Sequence, residues 1–411
     1  MKKHQVFFVI CTLFVFLVSC QESSQKSAYS DECIPPSETF VYSASPNLEK
    51  IPGNPEMQIP PNWQVEMDVP NNYKLLLSRA TGNNVELWFD QIIYSVYNSK
   101  TPWTSYTKIF HIYDLRTKKI ETISADVERS GVFAQYLFMA PDGSIWAQND
   151  IAIINSIPGG ENYPILSKFN EASRQFEFVS EAKVIPSFPS INKKDNPSYW
   201  VSMVVDTSGL LWFLVPEDAV YSYDPAKKEV KKHIEIHELA VRYPVPSPDG
   251  SIYFLDQKIL LSKDVVTSSS DIKIYKFSPK AESLEMIPVR LDPWPPFSTI
   301  LADHKGRLWI DGLAYREPDG RLYQLERSPI FLVYYFESGM DYRWVAPDIL
   351  MESSDGRLWF RSRNGLAWLD LDEQKWCWLS TSLSKIVEDQ QNNLWMIAYG
   401  KLYKTQITPK N

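Results

Sequence analysis

Between residues 62 and 405 the chain is written in short runs whose apolar and polar positions alternate with a period of two, broken by turn residues. Runs such as STILAD, DILMES and SMVVD lead into a tight turn. An aliphatic–aromatic pair follows, then an aromatic run such as VYSYDP, KIYKFSP or GLAWLDL, then a more polar one such as KEVKKH, ESLEMIPV or QKWCWL. Period-two alternation between turn signals predicts β-strands, four to a unit. The pair recurs seven times: Leu87-Trp88, Ile145-Trp146, Leu211-Trp212, Ile252-Tyr253, Leu308-Trp309, Leu358-Trp359 and Leu394-Trp395. Its aromatics are spaced 58, 66, 41, 56, 50 and 36 residues apart. Such spacing with four strands per unit predicts an all-β fold, a seven-bladed β-propeller of four-stranded antiparallel blades.

The hexapeptide around each pair has a physical reading. Asp-Gly and Ser-Gly turns supply the positive φ that a tight hairpin between right-twisted strands needs, and Asn392-Asn393 stands in for them in the last copy. Leu and Trp at adjacent positions point to opposite faces of the strand. A blade is covered on both faces, so both must be apolar, and the pairs are expected to form inter-blade core rather than to bind ligand. After Leu394-Trp395 only one further strand, GKLYKTQ, remains. A blade without its outer strand would leave an open edge, and PNWQVEMDV at Pro61–Val69 has the character of an outer strand. The ring is therefore expected to be closed by this N-terminal strand, Trp63–Met67, completing the last blade.

Asp206-Thr207-Ser208-Gly209-Leu210-Leu211-Trp212 and Asp303-His304-Lys305-Gly306-Arg307-Leu308-Trp309 carry the pattern D-x-x-G-x-L-W, and Tyr221-Ser222-Tyr223-Asp224-Pro225 carries an aromatic-Asp-Pro strand end. Over residues 62–405 the chain resembles the two-component regulator propeller repeat. Other copies depart: Ala140 and Ser247 replace the first Asp, Tyr253 replaces Trp, and TGNNVELW lacks the clean Gly. The resemblance implies the fold. It also implies an extracytoplasmic sensor role of the kind such propellers serve in histidine kinases, here exercised through a partner.

Unequal repeat lengths locate the functional face. Extra residues fall between the second and third strands (Gln91–Lys108, Asn149–Leu166, Asp256–Ile272) and between blades (Ile185–Tyr199, Leu291–Phe297, Glu337–Pro347). In an antiparallel four-stranded blade those two connections emerge on one side and the two short turns on the other. Long loops on a rigid scaffold are where binding residues sit. That face is rich in aromatics, among them Tyr106 and Phe297; Trp103, Tyr163, Trp200, Arg242, Trp294, Tyr342, Arg343 and Trp344 are the ligand-binding candidates, suited to a sugar ring or a protein partner.

The N-terminus changes where this recognition would take place. Lys2 and Lys3 precede a 13-residue apolar run, Val6–Val18, which ends in Leu17-Val18-Ser19-Cys20. This resembles a bacterial lipoprotein signal, so residues 1–19 read as a signal peptide and Cys20 as the lipidated, membrane-anchoring residue. Residues 20–60, Ser-rich and then Pro-rich, read as a tether, and 61–411 as the propeller. Losing Lys2 and Lys3 takes the formal charge from −8 to −10, which disfavours nucleic acid as a partner. Cys33 and Cys377 remain as a pair whose spacing does not show whether they meet.

Chemistry-bearing motifs are scarce. The chain lacks G-x-S-x-G, H-E-x-x-H, a P-loop and paired C-x-x-C. His233, Glu235 and His237 share one face of a strand and would suit a metal, but an outermost strand is expected to be solvated. Asp206, Asp303, Glu352 and Asp389 sit at the tight-turn end, where Asp commonly bonds the turn backbone. The expectation is a monomeric, non-enzymatic recognition module without a cofactor. The alternative is a lactonase- or lyase-like propeller with a divalent metal in its central channel.

Overall fold

The computed structural model describes residues 43–44, 62–70, 72–94, 106–124, 134–149, 164–186, 201–216, 218–237, 239, 241–256, 273–287, 289, 299–311, 314–324, 332–334, 343–345, 348–362, 365–370, 375–380 and 385–409. These form seven four-stranded antiparallel blades. Blade 1 runs from Tyr73 to Ser124, blade 2 from Ala134 to Phe178, blade 3 from Ser202 to Glu235 and blade 4 from Val241 to Ile287. Blade 5 spans Ile300–Gln324 and blade 6 Asp348–Ser380. Blade 7 is built from Ile386–Glu388, Asn393–Ala398, Lys401–Gln406 and, as its outer strand, Gln64–Asp68.

That outer strand is the predicted closure. Gln64 pairs with Lys404 and Asp68 with Lys401, and Asn62 Nδ2 donates to Thr405 Oγ1 at 3.1 Å. Trp63 is buried and meets Trp359 of blade 6 edge-on, with ring centroids 6.5 Å apart. On its other side Glu66 accepts hydrogen bonds from Lys118 Nζ and, at 3.3 Å, from Tyr113 Oη of blade 1. The closing strand therefore touches the blades on both sides of its own.

The core is divided into seven apolar clusters, one at each blade interface, and the cluster between blades 7 and 1 completes the circle. The aliphatic–aromatic pairs explain this division. Trp212 packs towards blade 4 while Leu211 packs towards blade 2. Trp395 likewise faces blade 1 and Leu394 blade 6. All seven pairs obey this rule, because adjacent strand residues point to opposite faces. Six indoles, Trp88, Trp146, Trp212, Trp309, Trp359 and Trp395, are among the largest fully buried side chains.

In six blades the turn before the pair is one repeated object. The residue at its start donates to a carbonyl four positions on, as Asp206 does to Leu210, and its own carbonyl accepts from the residue three on, as from Gly209. That residue is in the left-handed region: Gly143, Gly209, Gly250, Gly306, Gly356 or, at φ 60°, Asn392. A type I turn followed by a left-handed residue has this pattern. Blade 1 departs because its hairpin runs further, to Thr81 opposite Asn84, with Gly82 in the turn. The insertion between blades 5 and 6 contains a small separate hairpin, Leu332–Tyr334 paired with Arg343–Val345, where alternating aromatics favour strand over loop. Ser43–Ala44 of the tether pairs parallel with Lys375–Trp376 on the outer strand of blade 6.

Candidate functional site

The two ends of the ring differ in chemistry. At the tight-turn end the carboxylates are consumed by structure. Asp206, Asp303 and Asp389 each accept two turn N–H groups on Oδ1, and on Oδ2 the buried indole Nε1 of Trp212 (2.7 Å), Trp309 (2.9 Å) and Trp395 (2.7 Å). In blade 6 the indole of Trp359 donates instead to Ser353 Oγ, 2.9 Å away. Glu352 accepts from the backbone N–H of His304 on the preceding blade (2.8 Å) and lies 2.6 Å from its Nδ1. Glu388 caps Ser354 in the same way. In blade 1 the Asp is replaced by Arg79, which is buried between Glu86 and Glu171 of blade 2 with its guanidinium 5.6 Å from the Trp88 ring centre. The carboxylates of this end thus serve the backbone and indole donors of the turns, while Trp88 Nε1, beside Arg79, is buried without a hydrogen-bond partner.

The opposite end, from which the long connections depart, carries a cavity of about 380 Å³ where the inner strands of blades 2, 3 and 4 converge. Blade 2 contributes Tyr136, Phe138 and Gln148, blade 3 contributes Val201, Ser202 and Met203, and blade 4 contributes Tyr243 and Pro244. Each of the three inner strands enters the ring here, since Val201 directly follows the 187–200 connection and Tyr136 and Tyr243 lie within three residues of their strand starts. Gln148 is buried opposite Tyr136 and donates Nε2 to the Val201 carbonyl at 2.5 Å, joining blade 2 to blade 3 under the cavity. Asn149, fully buried, donates to the Pro164 carbonyl (3.0 Å) and clamps the root of the 150–163 connection beside it.

Two tyrosines flank the cavity and stay accessible, Tyr136 at 53 % and Tyr243 at 46 % exposure. Both sit beside a bulge, with register shifts between Ala134 and Tyr136 and between Arg242 and Val245. A bulge bends its strand and re-aims the side chain, which is how these rings come to line the channel rather than a blade interface. The described lining residues offer phenol, carboxamide and hydroxyl groups, a thioether and apolar rings, with neither carboxylate nor imidazole among them. Such a surface stacks on a ring and hydrogen-bonds hydroxyls.

The histidines lie elsewhere. Of the five in the chain, His4 is outside the described residues. His111, on the third strand of blade 1, is buried between Thr122 Oγ1 (3.1 Å) and Gln91 Oε1 (3.0 Å) and stacks on Tyr73 at 4.3 Å. His304 is at the tight-turn end. His233 corrects the expectation of a solvated outer strand: its ring packs between Trp212 (5.0 Å) and Phe277 (5.6 Å) and meets Ser222 Oγ at 2.8 Å. The other two groups of that motif, Glu235 and His237, pair in solvent at 2.8 Å. Burial holds the imidazoles of both His111 and His233 below their ordinary pKa. Among the described residues no three His, Cys, Asp or Glu side chains are placed to share a metal ion.

Of the predicted ligand-binding residues, Trp103, Tyr163, Trp200, Trp294 and Tyr342 lie outside the described residues, as does Cys20; Arg242, Arg343 and Trp344 are described by backbone alone. Two adjoin the cavity in sequence: Trp200 precedes Val201, and Arg242 precedes Tyr243. Trp103, Trp294 and the Tyr342–Trp344 segment belong to connections of other blades. Sequence reasoning missed Tyr136, Gln148 and Tyr243, because it sought function in the loops. The available signal was a tyrosine before proline at the start of an inner strand.

Fold and cavity define a class: a closed seven-bladed β-propeller with an aromatic, uncharged hollow at the long-loop mouth of its channel. No family model and no curated protein matches the chain. Among solved structures it is similar to a catalytically inactive histidine-to-alanine form of virginiamycin B lyase from Staphylococcus aureus with quinupristin, at 11% identity, TM-score 0.50, over 84% of this chain and 100% of that one. It is similar to PorZ, a surface component of the type-IX secretion system of Porphyromonas gingivalis, at 13% identity, TM-score 0.51, over 84% of this chain and 48% of that one. It is also similar to the extracellular domain of the two component system BT3049 from B. thetaiotaomicron, at 16% identity, TM-score 0.48, over 83% of this chain and 40% of that one. At these identities the likeness is one of fold, and the fold is the one the repeat motif implied.

Proposed function

We propose that the chain is a non-enzymatic, extracytoplasmic recognition module that binds the end of a glycan at the channel mouth and is held to a membrane by a lipid on Cys20. The observation that carries this reading is the cavity itself. Two accessible tyrosines flank buried Gln148, and the described lining residues include no carboxylate and no imidazole. Aromatic faces with a few fixed polar groups hold a sugar ring by stacking and hydroxyl bonding. The signal-like N-terminus supports a location outside the cytoplasm, in keeping with PorZ as a bacterial surface component.

The test is calorimetric titration with cellotetraose, mannotetraose, xylotetraose and trigalacturonate against wild type, Tyr136→Ala and Gln148→Ala. Binding of at least one oligosaccharide, weakened tenfold or more in both variants, supports the reading; binding to none of the four, or unchanged in both variants, overturns it. A lyase is the second reading, prompted by the likeness to virginiamycin B lyase. The inactive form of that protein has alanine in place of a histidine, whereas in this chain no histidine falls in the long connections or the cavity wall. Turnover abolished by a chelator would decide for the enzyme.

A further inference from the structure

Tyr243 is held in a backbone conformation that its sequence resists twice. Its φ is +52°, the left-handed region that costs an L-residue with a Cβ and that bulky residues rarely occupy. The next residue is Pro244, and a residue before proline is pushed towards extended φ near −120°, far from this value. The other non-glycine residues with positive φ include Lys118, Arg174, Lys228 and Glu282, all in short turns between third and fourth strands where reversal requires it. Tyr243 is instead inside an inner strand, at a bulge where the register slips between Arg242 and Val245.

The outcome of this local contortion is that the ring leaves the blade interface and stands in the cavity wall, nearly half exposed, with Pro244 beside it. Strain kept in place by surrounding structure is a marker of a functional position when its observable result is a presented side chain. Resting on the binding reading above, we propose that Tyr243 is the residue that sets what the cavity accepts. Pro244, which lines the wall at the bulge, disfavours this conformation of its neighbour, so stability is given up to hold the ring there.

The experiment separates ring from backbone. Tyr243→Gly and Tyr243→Ala both remove the ring, but only glycine relieves the left-handed strain, so the glycine variant melts higher than the alanine variant, by about 1–3 °C. Pro244→Ala keeps every ring while freeing the backbone of Tyr243. With the restriction that proline places on its neighbour removed, it is expected to melt about 1–3 °C above wild type and to bind the best of the four oligosaccharides within about twofold of wild type, whereas Tyr243→Ala binds it at least tenfold more weakly. Tyr243→Phe retains affinity within about threefold if stacking dominates. Wild-type affinity in Tyr243→Ala, or a glycine variant no more stable than the alanine one, overturns the proposal even if Tyr136→Ala and Gln148→Ala abolish binding. Loss of the cavity reading shows differently, as binding indifferent to Tyr136 and Gln148.

Discussion

A buried indole needs an acceptor, and the repeat supplies it from the residue that also ties the turn. Asp389 takes the Gln391 and Asn393 N–H groups and Trp395 Nε1 while only 5 % exposed. Its replacement by alanine strands three buried or half-buried donors and is expected to cost about 2–4 kcal/mol in denaturant unfolding. Asp249 is the contrast: it stands two residues after Ser247, which occupies the position of Asp389 in blade 4, and blade 4 has Tyr253 and no indole. Burial would raise its pKa, yet bonds from Lys276 and Ser251 hold it down to about 2. It is solvent-exposed, so Asp249→Ala should cost under about 1 kcal/mol. A similar loss in both variants would remove the indole from the explanation. The two buried imidazoles set a pH dependence. Their folded pKa values lie below 6.5, so as pH falls past that value the unfolded chain takes up protons that the folded one refuses, and stability drops. The melting temperature should therefore fall between about pH 7 and pH 5.5, and less steeply in His233→Phe, whose ring would still fill the gap between Trp212 and Phe277.

Among the elements, the closing strand differs from the rest because it pairs residues more than three hundred positions apart. Closing so long a loop is entropically costly, and burial of Trp63 and Val69 and the Glu66 contacts to blade 1 help offset it. Trp63→Ala should destabilise by about 2–4 kcal/mol, and a chain shortened to begin at residue 70 should unfold at lower denaturant with a broadened transition. An unchanged midpoint in the shortened chain would mean that the ring holds without its fourth strand in blade 7. The inner strands illustrate a different lesson. The inner strands of blades 1, 2, 4 and 6 interrupt their alternation with bulges, and in blades 2 and 4 the residues beside the bulge line the cavity.

For the whole molecule, a ring of seven similar blades has two ends, and the aromatic hollow lies at the long-connection end. If Cys20 is the anchor, Cys20→Ser should release the protein from the membrane fraction into the soluble extracytoplasmic fraction, with oligosaccharide binding intact; retention in the membrane would remove the lipid from the account. The sequence by itself determined the blade count, the four-strand pattern, the turn chemistry, the opposite-facing Leu-Trp pairs and the strand that closes the ring. Each is a local matter of side-chain periodicity, backbone φ or an unpaired edge, and local rules leave their mark on adjacent letters. The cavity was not legible in the same way. Tyr136, Gln148, Ser202 and Tyr243 come from three blades, far apart in sequence, and none lies in a motif. Arg79 in place of the turn aspartate, and His233 packed between Trp212 and Phe277, were likewise decided by neighbours across an interface. Which side chain faces the axis depends on bulges and on inter-blade packing, and these are fixed only when the blades meet.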